Sequence, residues 1–160
     1  MFVCTVRGSS VRFLLLLVLS VTAFLAIVLL GGQESVFAMA DGETIRYSGV
    51  KSEEARIDFL KQFEIEVAPE SVKEESFTMG ESLDRVLLGY NEMQKKQGLD
   101  LSKYTRKRVT RYTYRVTNSP AEGEVYVNLL IYRGRVIAGD VASADPDGFV
   151  MPLCDFTPKK

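Results

Sequence analysis

Five basic residues that could bind an anion lie close together in the second half of the chain: Arg106, Lys107, Arg108, Arg111 and Arg115. No acidic residue occurs between positions 101 and 121. Guanidinium groups bind phosphate and carboxylate groups through paired hydrogen bonds. These residues are therefore the candidate ligand-binding residues, suited to an anionic envelope polymer, anionic lipid headgroups or an acidic protein. The alternative is a solvated sheet face whose cations pair with acids on neighbouring strands.

Three aspartates near the C-terminus, Asp140, Asp145 and Asp147, form a second group that could do chemistry. Paired carboxylates hydrolyse glycosidic bonds in many enzymes, so the alternative function is a carboxylate enzyme acting on cell-envelope polymers. Residues 145–148 also resemble part of a calcium loop. Such a loop needs a glutamate six residues after its glycine, where this chain has Cys154. Turn formation explains the same Asp, Pro and Gly residues, and we expect no metal site.

The composition excludes several classes of function. The 160-residue chain contains no histidine, which excludes Ser/His/Asp and Cys/His catalysis as well as His-ligated zinc. A formal net charge of −1 gives the whole chain no electrostatic attraction to nucleic acid. We therefore expect a non-enzymatic binding or interaction module, with no catalytic residue, no cofactor and no nucleic-acid partner.

An uncharged apolar run occupies residues 13–30. As a helix it spans about 27 Å, close to the hydrocarbon thickness of a bilayer, which predicts a transmembrane anchor. Arg7 and Arg12 precede the run, whereas Glu34 and Asp41 follow it, so we expect a cytoplasmic N-terminus and an outside C-terminal domain. The alternative is a signal peptide cleaved after Ala40, which would release the domain.

The remaining sequence must fold into the elements that carry these candidate residues. Ser52 is a good N-cap for a first helix, whose apolar positions extend to Phe63. Residues 65–67 predict a short strand ended by Pro69, and residues 72–79 predict another. A second helix is predicted over 82–97, with Leu83, Val86, Leu87, Tyr90 and Met93 on its apolar positions.

From residue 107 onward the sequence has the two-residue period of a strand. Tyr112 and Tyr114 then share one face, which we expect to be buried, while Arg111 and Arg115 lie on the opposite, solvated face. Strands over 124–132 and 135–141, joined by a tight turn at Arg133-Gly134, complete an antiparallel meander.

These elements predict an α+β fold in the order α-β-β-α-β-β-β, with an N-terminal transmembrane helix and both later helices packed on one face of an antiparallel sheet. The predicted organisation is a cytoplasmic tail (1–12), the membrane helix (13–30), a flexible linker (31–51), the extracytoplasmic domain (52–153) and a C-terminal tail (154–160). Cys4 and Cys154 lie on opposite sides of the membrane in this arrangement, so no disulfide joins them.

The sequence resembles a known domain family in three places: residues 98–104, the run RYTYRVTN at 111–118, and residues 134–140 together with 147–149. The family is an uncharacterised one of small membrane-anchored proteins in Gram-positive bacteria. The resemblance covers about residues 55–150. It implies the N-terminal anchor and the α+β domain, and it implies no activity, cofactor or catalytic residue.

Overall fold

The computed structural model describes residues 36–38 and 44–159. Two helices, α1 (Glu53–Lys61) and α2 (Arg85–Lys95), accompany seven strands and two short 3-10 helices, Leu101–Tyr104 and Leu153–Asp155, in these residues. The strands are β1 (Val36–Ala38), β2 (Thr44–Arg46), β3 (Val67–Thr78), β4 (Arg108–Val116), β5 (Val125–Tyr132), β6 (Arg135–Ser143) and β7 (Val150–Pro152). In this part of the chain, no helix is both long and apolar enough to cross a membrane, and the predicted span 13–30 lies outside it.

The main sheet is antiparallel, with its five strands in the order β3-β4-β5-β6-β7. Strands β1 and β2 form a separate antiparallel pair. The predicted meander is confirmed, and its tight turn uses left-handed backbone at Arg133 (φ +49°) and Gly134 (φ +75°), as a two-residue hairpin requires. The α+β class is likewise confirmed.

Helix α1 packs on the sheet face that carries Tyr114, which we call the α1 face. Ser52 caps the helix as predicted, since its hydroxyl oxygen accepts a hydrogen bond from the Ala55 amide at 3.2 Å. Phe59 and Leu60 are buried in one apolar cluster with Tyr114 and its neighbours on β5 and β6. Tyr114 is fully buried as predicted, whereas Tyr112 is half-buried.

Helix α2 packs on the opposite face, the α2 face, so the prediction that both helices share one face is wrong. Tyr90 of α2 donates a hydrogen bond to Asp140, whose ladder partner is Asn128, and Asn128 in turn pairs with Thr113. Thr113 alternates with Tyr114 along β4, which places it on the other side of the sheet. A second apolar cluster, which includes Val109 and Leu130, lies on this side. Apolar periodicity shows that a helix has a buried side, but it does not say which face of a sheet receives it.

The two short strands predicted before α2 are one long strand, β3. Its pairing with β4 shifts register between Ala68 and Lys73, and this irregularity accommodates Pro69 within the strand. Proline is tolerated because β3 is an edge strand and one side of its backbone needs no ladder partner. The observed order from α1 onward is therefore α-β-α-β-β-β-β rather than α-β-β-α-β-β-β.

The packed domain extends beyond the predicted boundaries at both ends. Ile45, Tyr47 and Val50, which belong to the predicted flexible linker, are buried in the cluster beneath α1. The amide of Val136 in β6 also donates a hydrogen bond to the Tyr47 carbonyl at 2.8 Å. Phe156, in the predicted tail, is buried as well. The folded unit therefore begins before residue 52 and continues past residue 153.

Candidate functional site

A groove of about 580 Å³ lies between α2 and the α2 face of the sheet. Its volume is within the range of small-molecule binding sites. Most of its lining is apolar, from β3, α2, β5 and the strands beyond it, and includes Phe77, Leu87, Leu130 and Val150. Because apolar walls and a few polar groups are typical of ligand pockets, this groove is the candidate functional site.

Five polar residues also line the groove: Thr78, Tyr90, Arg111, Asn128 and Asp140. The Tyr90 hydroxyl donates to Asp140 Oδ1 at 2.6 Å, and Asn128 Nδ2 donates to Asp140 Oδ2 at 2.8 Å. Asn128 Oδ1 accepts a hydrogen bond from the Thr113 hydroxyl at 2.7 Å, which fixes the orientation of its amide. Three strands and one helix therefore position a single carboxylate.

The Asp140 carboxylate is buried, with only 5% of the residue exposed. Burial raises its pKa above the ordinary value, and the hydrogen bonds from Tyr90 and Asn128, together with the positive charge of Arg111, oppose that rise. Within the described residues Asp140 forms no ion pair, and the Arg111 guanidinium is paired with Glu75 of β3. Burial, with the nearby Asp140 charge, also raises the pKa of Tyr90 well above its usual value, so its hydroxyl stays protonated as a donor.

Large apolar side chains remain exposed at the rim of the groove. Val86 of α2 is 79% exposed and Val150 of β7 is 59% exposed, and both line the groove. The sequence pattern placed Val86 on the buried side of its helix, and this prediction is wrong. The helix also begins later than the predicted residue 82, at Arg85, where the Asp84 side chain caps it.

Buried side-chain amides hold α2 in this position. Gln94 Oε1 accepts a hydrogen bond from the Gly139 amide at 2.9 Å. Gln97 Nε2 donates to the Gly139 carbonyl at 2.7 Å, and Gln97 Oε1 accepts from the Leu153 amide at 3.1 Å. Asp140 and Pro152 form the last ladder pair of β6 and β7, with Gly139 just before Asp140 and Leu153 just after Pro152. The Gln97 amide therefore bridges the two backbones where the next ladder pair would lie. A Cβ at Gly139 would lie 2.6 Å from a Leu153 methyl carbon, which is why glycine occupies this position.

The structure separates the five basic residues that the sequence grouped. Arg111 and Arg115 lie on the α2 face, as their alternation with Tyr112 and Tyr114 predicts. Arg111 forms an ion pair with Glu75, its direct ladder partner.

The other three lie elsewhere. Arg106, in left-handed backbone before β4, forms an ion pair with Glu81 at 3.2 Å. Lys107 is exposed in the same turn, and its carbonyl accepts a hydrogen bond from the Met79 amide. Arg108 begins β4 and lines a different hollow, on the α1 face. Anion binding by the five residues stays a prediction, but they do not form one surface.

The three candidate aspartates are also separated. Asp140 lines the groove, whereas Asp145 and Asp147 lie in an exposed turn and outside the groove lining. Asp145 Oδ1 accepts a hydrogen bond from the Asp147 amide, which is the turn role that the sequence suggested. Within residues 44–159 no cluster of three acidic, cysteine or histidine side chains is arranged to hold a metal ion.

Sequence reasoning missed Tyr90 and Asn128 as site residues. Tyr90 was read as one more apolar position of α2. Asn128 did carry a signal, because it is the only polar residue in the run VYVNLLIY that forms β5. A polar side chain in an otherwise apolar strand needs a hydrogen-bonding partner, and here that partner is Asp140.

These features define a small α+β domain in which a helix and a five-stranded antiparallel sheet enclose an apolar groove with a buried carboxylate. A family described as Domain of unknown function (DUF4830) matches residues 56–141, and the chain belongs to this family. The match covers α1 through most of β6, including Tyr90, Asn128 and Asp140. The expectation of an uncharacterised domain family is therefore confirmed. Comparison with curated proteins and with solved structures finds no significant match.

Proposed function

We propose that this protein is a binding module, not an enzyme, and that its ligand is a small amphipathic cation held in the groove between α2 and the sheet. The apolar body of the ligand would contact Leu87, Leu130 and Val150. Its positively charged group, an ammonium, would approach Asp140.

The observation that carries this proposal is the buried Asp140 carboxylate without an ion pair in the described residues. Tyr90 and Asn128 donate hydrogen bonds to it, but neither carries the positive charge that a buried carboxylate normally requires. Arg111 lines the same groove, but its charge is balanced by Glu75. A cationic ligand would supply the missing charge, and the exposed Val86 and Val150 side chains would cover its apolar part.

The cellular setting belongs to the same proposal. The uncharged run 13–30 and the charges around it favour a single-pass anchor in a bacterial membrane of the Gram-positive type, with the domain outside. An anionic envelope polymer, lipid headgroups or an acidic protein would be further partners for the exposed cations. The alternative enzyme would need Asp140 to act with Asp145 or Asp147, and the groove lining supplies only Asp140.

The test is a titration of the full chain, in zwitterionic lipid nanodiscs, with hexyltrimethylammonium. Hexanoate and hexanol are the anionic and neutral probes with the same chain length. We expect the ammonium compound alone to shift the NMR signals of the Asn128 side-chain amide and the Leu130 backbone amide. Asp140→Asn should weaken binding about tenfold, because it removes the electrostatic attraction between the carboxylate and the ammonium charge.

Asp145→Asn is the matched control, because Asp145 is an exposed aspartate outside the groove. It should bind the ammonium probe as the wild type does. Equal binding of hexanoate and hexyltrimethylammonium would contradict the proposal, as would an equal loss in the two variants.

A further inference from the structure

A second hollow, of about 470 Å³, lies on the α1 face at the turn between β5 and β6. Three cations from separate parts of the chain line it: Lys51 before α1, Arg108 at the start of β4, and Arg133 in the turn. No acidic residue contributes to the lining. The hollow shares no residue with the groove beneath α2, so it is an independent site.

These three residues differ from Arg106 and Arg111 in their ion pairing. Arg106 and Arg111 are neutralised by Glu81 and Glu75. By contrast, none of Lys51, Arg108 and Arg133 forms an ion pair with another residue of the described chain. Three like charges around one hollow repel one another, and a bound anion would remove that repulsion.

Two of the three cations, Lys51 and Arg133, make contacts within the domain before any ligand binds. The side chain of Lys51 lies so close to Gly134 that a Cβ there would be 2.6 Å from Lys51 Cγ. The amide of Val50 donates a hydrogen bond to the Gly134 carbonyl at 2.9 Å, which fastens the Lys51 segment to the turn. The Arg133 guanidinium lies 5.3 Å from the centre of the Tyr132 ring. These side chains therefore lose less conformational entropy when an anion binds.

The wall of the hollow also supplies two hydroxyl groups. One belongs to Tyr112, whose ring centre lies 3.8 Å from the guanidinium of Arg56, a cation outside the lining. Thr110 contributes a hydroxyl that already shares a hydrogen bond with Ser76. Glu74 pairs with Tyr112 across the β3–β4 ladder, but it lies outside the lining.

We propose that this hollow binds a phosphate group with at least two negative charges, as in a phosphomonoester or a diphosphate. Guanidinium groups bind phosphate oxygens in pairs, and lysine adds a point charge. Arg108 is the only member of the predicted anion-binding set that contributes. The proposal goes beyond the cationic ligand of the groove and does not depend on it.

The test measures binding of inorganic pyrophosphate to the full chain by calorimetry, and locates it from the NMR signals of the Lys51 and Gly134 amides. Arg108→Gln and Arg133→Gln should each weaken binding about tenfold, as expected for loss of one charge-assisted contact. Arg115→Gln is the matched control. Arg115 is also exposed and also in β4, but it lies on the α2 face, so its replacement should leave pyrophosphate binding unchanged.

Two further arms distinguish the source of the phosphate. Inorganic phosphate and glycerol phosphate represent soluble ligands, and vesicles containing phosphatidic acid represent a lipid headgroup with a terminal phosphate. Binding in either arm that is weakened in Arg108→Gln supports the site. The arm in which it occurs identifies the source of the phosphate group. Absence of binding in every arm would overturn the proposal, and so would an equal loss in Arg108→Gln and Arg115→Gln.

Discussion

The two helices of this domain are attached to the same sheet in opposite ways. Helix α1 buries aromatic and aliphatic side chains, with Phe59 in tilted contact with Tyr47 and edge-to-face contact with Phe63 at ring-centre distances of 5.7 and 5.5 Å. Helix α2 and the turn after it bury polar side chains, Asn91, Gln94 and Gln97, and leave Val86 and Leu88 more than half exposed. The apolar side of a helix is therefore not always the side that packs on the sheet. Where backbone groups at the sheet edge lack partners, the polar side of the helix packs there and supplies the hydrogen bonds.

The reason lies in the shortness of β7. This strand has three residues, so Gly139 of β6, which pairs with Leu129 of β5, has no strand partner on the β7 side. A buried backbone N–H or C=O that makes no hydrogen bond costs about 1 to 3 kcal/mol. Amide side chains from α2 and its C-terminal turn fill this gap, and the apolar positions of α2 are turned toward the groove. The groove therefore forms because side-chain amides, and not a longer β7, pair with the backbone at this end of β6.

The largest expected effect is the loss of the tyrosine beneath α1. Tyr114→Ala should lower the free energy of unfolding of the full chain by about 3 to 5 kcal/mol, because it empties a buried aromatic site. It also removes the partner of Arg56 Nε, which donates to the Tyr114 hydroxyl at 2.7 Å. Urea denaturation followed by circular dichroism measures the change.

The control for this change is the adjacent residue. Arg115→Ala alters an exposed side chain on the other face and should change the free energy of unfolding by less than about 0.5 kcal/mol. Comparable effects at the two positions would contradict the assignment of the two faces.

The polar attachment of α2 should be almost as important as the apolar attachment of α1. Gln97→Leu retains the size of the side chain but leaves the Gly139 carbonyl and the Leu153 amide without partners. We expect a loss of about 2 to 4 kcal/mol in the same unfolding experiment. Lys96→Leu, at the exposed neighbouring position, should have little effect. A stabilised Gln97→Leu variant would show that α2 is attached mainly by apolar contacts.

The acidic groups on the α2 side should give opposite pH dependences. Burial raises the pKa of Asp140, so the folded chain holds this proton more tightly than the unfolded chain. The stability difference between wild type and Asp140→Asn should therefore fall as pH rises from near 3.8, the ordinary value, through the raised pKa.

Asp100 provides the opposite case, because hydrogen bonds from Ser102 and Asn91 lower its pKa. Its stabilising contribution should be present above pH 3.8 and disappear as pH falls through the lowered pKa. Urea denaturation of wild type, Asp140→Asn and Asp100→Asn across this pH range tests both signs. The same sign at both positions would contradict the assignment.

The smallest expected effect concerns the exposed ion pair at the rim of the groove. A double-mutant cycle with Glu75→Gln and Arg111→Gln should give a coupling energy of about 0.2 to 1 kcal/mol that weakens as salt increases. Both side chains are about half exposed, at 61% and 49%. A coupling energy well above this range would mean that the ion pair fixes the structure of the groove, beyond neutralising the charge of Arg111 at its rim.

Local patterns were sufficient to predict several elements. The Ser52 cap of α1 and the Arg133-Gly134 turn both depend on residues close together in sequence. The alternation along β4 likewise separated Tyr114 from Arg115 correctly. Each of these features is decided by backbone geometry within a few residues.

The sequence by itself therefore determined the α+β class, the meander and the side of β4 on which each residue lies. Only the tertiary structure decided which face of the sheet receives α2, how Gln97 closes the edge of β6, and that Lys51 and Arg133 join Arg108 around one hollow. These arrangements bring together positions from 25 to 82 residues apart. Periodicity and capping describe only neighbouring residues, whereas such contacts arise from the competition among whole elements to bury apolar surface and to pair buried backbone groups.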